Sequence, residues 1–299
     1  MKIPFILLLS LFIHATASFS QCESLTIENI SNYTPLTFGS LKESDGLRNG
    51  PDYAGATLYF PLNANSLLKS IVLVPGYRAT QTSIEGWAKY LASRGFLCMT
   101  IGTNSIYDLP KVRANALIDA MVTLRQENQR IASPLYQKID TNSIAVGGWS
   151  MGGGGAQLAA QINPTIKAVL AIAPWLLEST LTTSSLDHKV PVLIISGQLD
   201  EVAPTNKHAD VHYNYTPTTT SKLLLEIAGG NHATPLNPLT GNEDIGNIAI
   251  AWLQLFLEDS TCYCKMLKVQ TLIQNSTTSK YITNLHCSTP SKEKLKTRP

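Results

Sequence analysis

Ser150 stands in the pentapeptide Gly148-Trp149-Ser150-Met151-Gly152, which follows directly on the apolar run Ile144 to Gly148 and leads into Gly153, Gly154 and Gly155. Gly-x-Ser-x-Gly between a strand and a helix is the pattern of a nucleophile elbow. The turn is so tight that the positions two residues either side of the serine must lack side chains, and the serine itself is held under strain. Each glycine at a helix start weakens it by up to about 1 kcal/mol relative to alanine, so helix stability is not why they are there. Close approach of the backbone to the sheet is the expected reason. The plain alternative, a Gly-rich structural turn, fits the flanking strand and helix less well.

A serine hydroxyl is a poor nucleophile until a neutral imidazole takes its proton and a carboxylate holds that imidazole in the right tautomer. In this setting the order along the chain is Ser, then acid, then His, with acid and base on loops after later strands. Asp200 lies just past the run Val192 to Ser196, and His232, in Gly229-Gly230-Asn231-His232, just past the run Leu223 to Ile227. Both therefore come to one edge of the sheet. Asp187, Glu201 and Glu226 are poorer acids, being displaced from a strand end or within a strand, and His14, His188 and His286 lack the order or the setting.

The oxyanion of such a reaction needs two donors. The amide of Met151 is one, and the amide of Tyr77, in Pro75-Gly76-Tyr77-Arg78 after the run Ile71 to Val74, is the other. The Tyr77 ring would roof the site, and Trp175, in Ala173-Pro174-Trp175, should emerge at the same edge unless it is simply a core residue. His208 and His212 stand four apart and could share a metal, but no third ligand is near and a polar helix face is the simpler reading. Neither a metal nor a cofactor is expected.

The elements that must position these residues are apolar runs at Ala56 to Phe60, Ile71 to Val74, Phe96 to Ile101, Ile144 to Gly148, Ala168 to Ile172, Val192 to Ser196 and Leu223 to Ile227. Between them lie helix-like stretches, notably Ile84 to Ser93, Lys111 to Asn128, Met151 to Gln161 and Gly246 to Leu257. Runs apolar at consecutive positions and alternating with helices predict an α/β fold, a mostly parallel central sheet with helices on both faces. Only Pro174 to Val190 separates two of the strands, and the stretch from Asp200 to His232 already contains a helix and a strand. That leaves no room for a lid domain, so an open cleft with an exposed serine is expected.

The chain has 299 residues, 44% of them hydrophobic and 15% charged, with a formal net charge of +2. This describes one domain with a large core. The charged fraction is well below the roughly 25% of ordinary soluble domains, a composition suited to export. Lys2, the apolar run Phe5 to Ile13 and Ala15-Thr16-Ala17-Ser18 read as a secretory signal over residues 1–20, cut after Ala17 or Ser20. Gln21 before Cys22 disfavours a lipid anchor. Residues 21–290 form the catalytic domain and 291–299 a basic tail expected to be disordered, holding Lys292, Lys294, Lys296 and Arg298. The body between is slightly acidic, so no nucleic-acid partner is implied, nor stable membrane insertion; a secreted monomer, extracellular or periplasmic, is expected.

In an oxidising compartment surface cysteines pair. Cys98 lies in a buried run and is read as free and inert. Cys22, Cys262, Cys264 and Cys287 should form two disulfides, Cys287 with Cys262 or Cys264 and Cys22 with the one left over, because Cys-x-Cys neighbours rarely bridge each other. A zinc site from Cys262, Cys264, His286 and Cys287 fits no common spacing.

Taken together, Val74-Pro75-Gly76-Tyr77, Thr103-Asn104-Ser105, Gly148 to Gly155, Ala173-Pro174-Trp175, Asp200-Glu201-Val202-Ala203-Pro204 and Gly229-Gly230-Asn231-His232 resemble the bacterial cutinases and poly(ethylene terephthalate) hydrolases, from about Gly50 to about Glu258. The resemblance implies a lidless α/β-hydrolase fold that cleaves carboxylic esters, polyesters such as cutin or poly(ethylene terephthalate) included, through an acyl-enzyme without cofactor. It implies Ser150, Asp200 and His232 as triad and Tyr77 and Met151 as oxyanion hole. It also implies Tyr77, Met151, Trp175 and Val202 as walls for an aromatic or acyl unit. Gly197 and Thr234 stand where one well-known member has a second disulfide, and His208 resembles the cutinase-type residue behind the tryptophan. The competing readings are a short-chain carboxylesterase or lidless lipase with incidental polyester activity, and a non-catalytic binding module, against which the intact elements speak.

Overall fold

The computed structural model describes Thr26, Ile30 and residues 34–64, 66–268 and 277–287. The signal at 1–20, Cys22 and the tail at 291–299 lie outside the described residues. Nine strands form one sheet in the order β1-β2-β4-β3-β5-β6-β7-β8-β9. They are β1 (Phe38–Lys42), β2 (Ala56–Pro61), β3 (Leu68–Val74), β4 (Leu97–Ile101), β5 (Ile139–Trp149), β6 (Val169–Ile172), β7 (Val192–Gly197), β8 (Lys222–Ile227) and β9 (Thr278–Thr283). The six from β4 through β8 in that order run parallel. The flanking β1, β2 and β9 are antiparallel. The sheet is thus the mostly parallel one expected, extended by two edge strands that the apolar runs do not reveal. Each buries only one residue, Leu41 in β1 and Tyr281 in β9, and so carries little apolar pattern.

Parallel neighbours require crossovers, and helices supply them. They are α1 (Glu85–Ser93), α2 (Pro110–Glu127), α3 (Met151–Ile162) and α4 (Ala209–Tyr215), with α5 (Asp244–Leu257) and α6 (Cys262–Lys268) between β8 and β9. Residues 173–191 join β6 to β7 with neither helix nor strand. Side chains of the central strands alternate between two cores. Ile71, Leu73, Leu193 and Ile195 pack with Trp87, Ile248 and Trp252 on the face of α1, α5 and α6. Val72, Val74, Val192 and Ile194 pack with Leu117, Met121 and Ala156 on the face of α2 and α3. Strand order reverses between β3 and β5, so their following loops leave in opposite directions and open a crevice at the carboxyl edge.

Cys264 is bonded to Cys287, tying α6 to the segment after β9, and Cys262 is disulfide-bonded as well. A bridge closing a loop of this length contributes about 2–4 kcal/mol. Cys98 is free and buried on β4, where burial pushes its thiol pKa up and keeps it inert. No helix among the described residues is long and apolar enough to cross a membrane.

The expected polar face at His208 and His212 is not what forms. His208 caps α4, whereas His212 points inward, fully buried, and neither of its ring nitrogens has a hydrogen-bond partner among the described residues. The helix is drawn onto the sheet by Lys222, whose Nζ donates to the carbonyls of Tyr213 (2.7 Å) and Thr216 (2.5 Å) at the helix end, and by an ion pair of Lys280 with Asp210 (2.8 Å). Burial pushes the pKa of His212 down to about 3 and that of nearby His188 to about 4. Unfolded imidazoles titrate near 6.5, so below that pH the unfolded chain takes up protons the folded chain refuses. Stability should therefore fall as pH drops from about 6.5 to about 4, by up to about 1.4 kcal/mol per pH unit for each histidine. Denaturant midpoints measured across pH 7.5 to 4 check this, and His212→Gln should flatten the slope.

Candidate active site

Ser150 occupies the junction of β5 and α3 with φ 58° and ψ −120°, a left-handed conformation that costs of order 1–3 kcal/mol for a residue with a side chain. The glycines around it make that turn possible by backbone contact. A Cβ on Gly152 would lie 2.4 Å from the Val74 carbonyl, on Gly153 3.0 Å from the Ile172 carbonyl, on Gly154 2.1 Å from the Trp175 carbonyl and on Gly155 2.8 Å from the Pro110 carbonyl. Close approach to the sheet thus accounts for the first two, and the tryptophan loop and α2 for the others. Ser150 is only 6% exposed. It forms the floor of the crevice, where an exposed serine was expected.

The loop after β3 is pressed directly onto this floor. A Cβ on Gly76 would stand 2.9 Å from the Ser150 Cβ, and Tyr77 is the next residue along that backbone. Met151 opens α3, where free amides point out of the helix and favour negative charge.

Asp200, buried just past β7, accepts a 2.6 Å hydrogen bond at Oδ2 from His232 Nδ1. Its Oδ1 accepts from the amides of Val202 (2.9 Å) and Ala203 (2.7 Å). Burial by itself would raise the carboxyl pKa, but the bonds from His232 and the two amides outweigh it and hold the group below the ordinary carboxylate range. With Nδ1 engaged, Nε2 is the nitrogen of His232 left to act as base. The Trp149 indole N–H donates to the His232 carbonyl (3.0 Å) and its ring lies 5.1 Å from the imidazole. This buttressing role was not foreseen, because Trp149 occupies a position of the pentapeptide where any residue is allowed. The acid and base loops touch through backbone: the Leu199 amide donates to the Gly230 carbonyl (2.7 Å), and a Cβ on Gly197 would meet the Gly230 and Asn231 carbonyls at 2.5 Å.

Around the floor stand Tyr77, 45% exposed and edge-on to Tyr107 at 5.7 Å, and Val202, 61% exposed. Trp175 is half-buried rather than a core residue. Its amide donates to the Ser150 carbonyl (2.9 Å) and its indole stacks on His208 at 5.8 Å. A groove of about 430 Å³ runs along the outer side of Trp175, past His208, Val211 and Tyr215. A comparable one of about 460 Å³, lined by Phe60, Leu67 and Leu135, lies at the opposite edge of the sheet, away from this chemistry. Among the described residues no group of three His, Cys, Asp or Glu could hold a metal.

The PET hydrolase-like (PETase) family model matches residues 40–287. Over 232 residues the chain is 37% identical to cutinase est1 of Thermobifida alba, covering 76% of this chain and 74% of that one. It is 36% identical to cutinase 2 of Thermobifida cellulosilytica, covering 76% and 83%. Over 216 residues it is 33% identical to the bis(hydroxyethyl) terephthalate hydrolase of Streptomyces coelicolor, covering 72% and 66%.

Proposed function

The chain belongs to the PET hydrolase-like family and is a carboxylic ester hydrolase of cutinase type, and we propose that it cleaves esters and polyesters through an acyl-enzyme on Ser150. Ser150 Oγ attacks the ester carbonyl carbon while His232 Nε2 takes the hydroxyl proton, and Asp200 holds the resulting imidazolium. The tetrahedral oxyanion is received by the amides of Met151 and Tyr77. His232 then gives its proton to the departing alkoxide oxygen, and the alcohol leaves. A water molecule, deprotonated by His232 Nε2, attacks the acyl carbon, and as the acyl–Oγ bond breaks the imidazolium returns that proton to Ser150 Oγ, releasing the carboxylic acid and restoring the serine and the neutral imidazole. Neither metal nor organic cofactor enters these steps.

The observation that carries this reading is the Asp200–His232 contact of 2.6 Å, its carboxylate fully satisfied, on the sheet edge that also presents the strained Ser150. The named substrate of the Streptomyces relative is a terephthalate ester. Tyr77, Met151, Trp175 and Val202 would hold such a ring or an acyl chain, the aromatic pair by stacking or edge contact. The absence of helix or strand from residues 173–191 supports a cleft that stays open to polymer. The leader-like sequence at 1–20 and the Cys264–Cys287 disulfide support a secreted enzyme.

Soluble product released from aliphatic polyester and poly(ethylene terephthalate) film, compared with turnover of short and long acyl esters, tests this, with Ser150→Ala as blank. Release from film is expected, with short-ester rates changing smoothly through the solubility limit. Hydrolysis of soluble esters with no release from any film would reduce the function to that of a short-chain esterase.

A further inference from the structure

Arg113, on α2, is fully buried, yet its partners are carbonyl and hydroxyl oxygens rather than a carboxylate. Nη1 donates to the Pro75 carbonyl (3.0 Å) and reaches Thr103 Oγ1 (3.5 Å), Nη2 donates to the Ile106 carbonyl (3.1 Å), and Nε donates to the Asp108 carbonyl (3.0 Å). Desolvating a cation this far is costly, and the compensation comes from hydrogen bonds to two loops together with the attraction of the Asp108 carboxylate, which makes no direct ion pair with it. Burial lowers its pKa to about 10, which still leaves it charged at neutral pH.

The two loops are those that follow β3 and β4. The Pro75 carbonyl is held in a slot, with the guanidinium on one side and Gly152 on the other, where a Cβ would stand 2.6 Å from it. This orients the Pro75–Gly76 peptide. The next peptide carries the Tyr77 amide, and the residue between is glycine, the one most able to let that amide swing. The second loop supports the first from outside: the Arg78 amide donates to the Ile106 carbonyl (2.7 Å), and the Tyr77 ring rests on Tyr107. One buried cation therefore braces both the oxyanion amide and the ring beside it.

We propose that Arg113 is a positioning residue that aims the Tyr77 amide at the oxyanion, an inference that rests on the reading of Ser150 and Tyr77 given above. A donor that matters only in the transition state affects kcat rather than KM. Removing one such donor outright typically costs about 100- to 1000-fold. Misaiming it should cost less, about 10- to 100-fold in kcat for Arg113→Gln on a soluble ester, with KM changed by no more than about twofold. Arg113→Lys, which keeps the charge but not the fork, should fall between.

The measurements are kcat and KM, the rate of inactivation by an alkylphosphonate whose P–O⁻ occupies the oxyanion position, the fraction of competent sites from the acyl burst, and the melting curve. The inactivation rate is expected to fall in parallel with kcat while burst amplitude per folded molecule holds. Millimolar guanidinium ion added to Arg113→Ala is expected to restore part of kcat. Folded variants with unchanged kcat and phosphonate rate would overturn the proposal. So would a loss carried by KM or by the count of competent sites, or failure of Arg113→Lys to fold, each of which assigns Arg113 to packing alone. If Ser150→Ala kept full activity the site itself would be misread, whereas a dead Ser150→Ala beside fully active Arg113 variants would remove only this inference.

Discussion

Ser150→Ala should lower kcat for a soluble acyl ester by about a million-fold while leaving the melting temperature nearly unchanged. The substitution deletes the attacking oxygen, so no acyl-enzyme can form, and what survives is the modest effect of the oxyanion donors on direct attack by water. Alanine at φ 58° is no less strained than serine, and the floor of the crevice keeps its packing. Intact-mass analysis after phosphonate treatment should find the adduct on wild type within the peptide spanning Gly148 to Gly155 and none on the variant. Residual hydrolysis above about 1% in carefully purified Ser150→Ala would remove the serine from the mechanism.

Asp200→Asn should cost about 10⁴-fold in kcat, and the backbone around Asp200 says why. Oδ1 accepts from two amides, those of Val202 and Ala203. In the asparagine variant those amides retain the carboxamide oxygen, which turns the NH₂ group toward His232. The imidazole must then accept at Nδ1 and carry its proton on Nε2, the tautomer that cannot take a proton from Ser150. Fold and substrate affinity should persist, so the loss should appear in kcat with KM within a few-fold. Because the bonds from His232 and the two amides hold the Asp200 pKa below the ordinary carboxylate range, the acid limb of the wild-type profile should not report protonation of Asp200. A variant retaining more than about a tenth of wild-type kcat would show that another carboxylate orients His232.

The nucleophile elbow was legible because its demands are local. A strand that must turn into a helix within one residue needs glycine on both sides, and Gly148 and Gly152 are read from the chain without knowledge of any contact. The acid and base were legible for a related reason: once the apolar runs ending near Ser196 and Ile227 are taken as parallel strands, their following loops must come to the same edge. The central sheet itself follows from runs such as Val192 to Ser196, apolar at consecutive positions because both faces are covered.

What the chain does not display is which distant segments meet. The edge strands β1 and β9 pair on one side only and bury a single residue each, so they carry little apolar signature. Whether Cys262 or Cys264 joins Cys287 depends on how α6 sits against β9, and the structure selects Cys264. His212 looked like half of a polar face, but α4 is drawn inward by Lys222 and Lys280 and takes His212 into the core. Arg113 has no signature in the sequence, yet it satisfies carbonyls of the loop just before its own helix and of the loop after β3, 38 residues away. Period and turn chemistry are properties of neighbours along the chain, and they determined the elements, the order of the triad and the edge on which it assembles. The satisfaction of a buried polar group is a property of neighbours in space, and only the packed tertiary structure decided which residues hold that machinery in place.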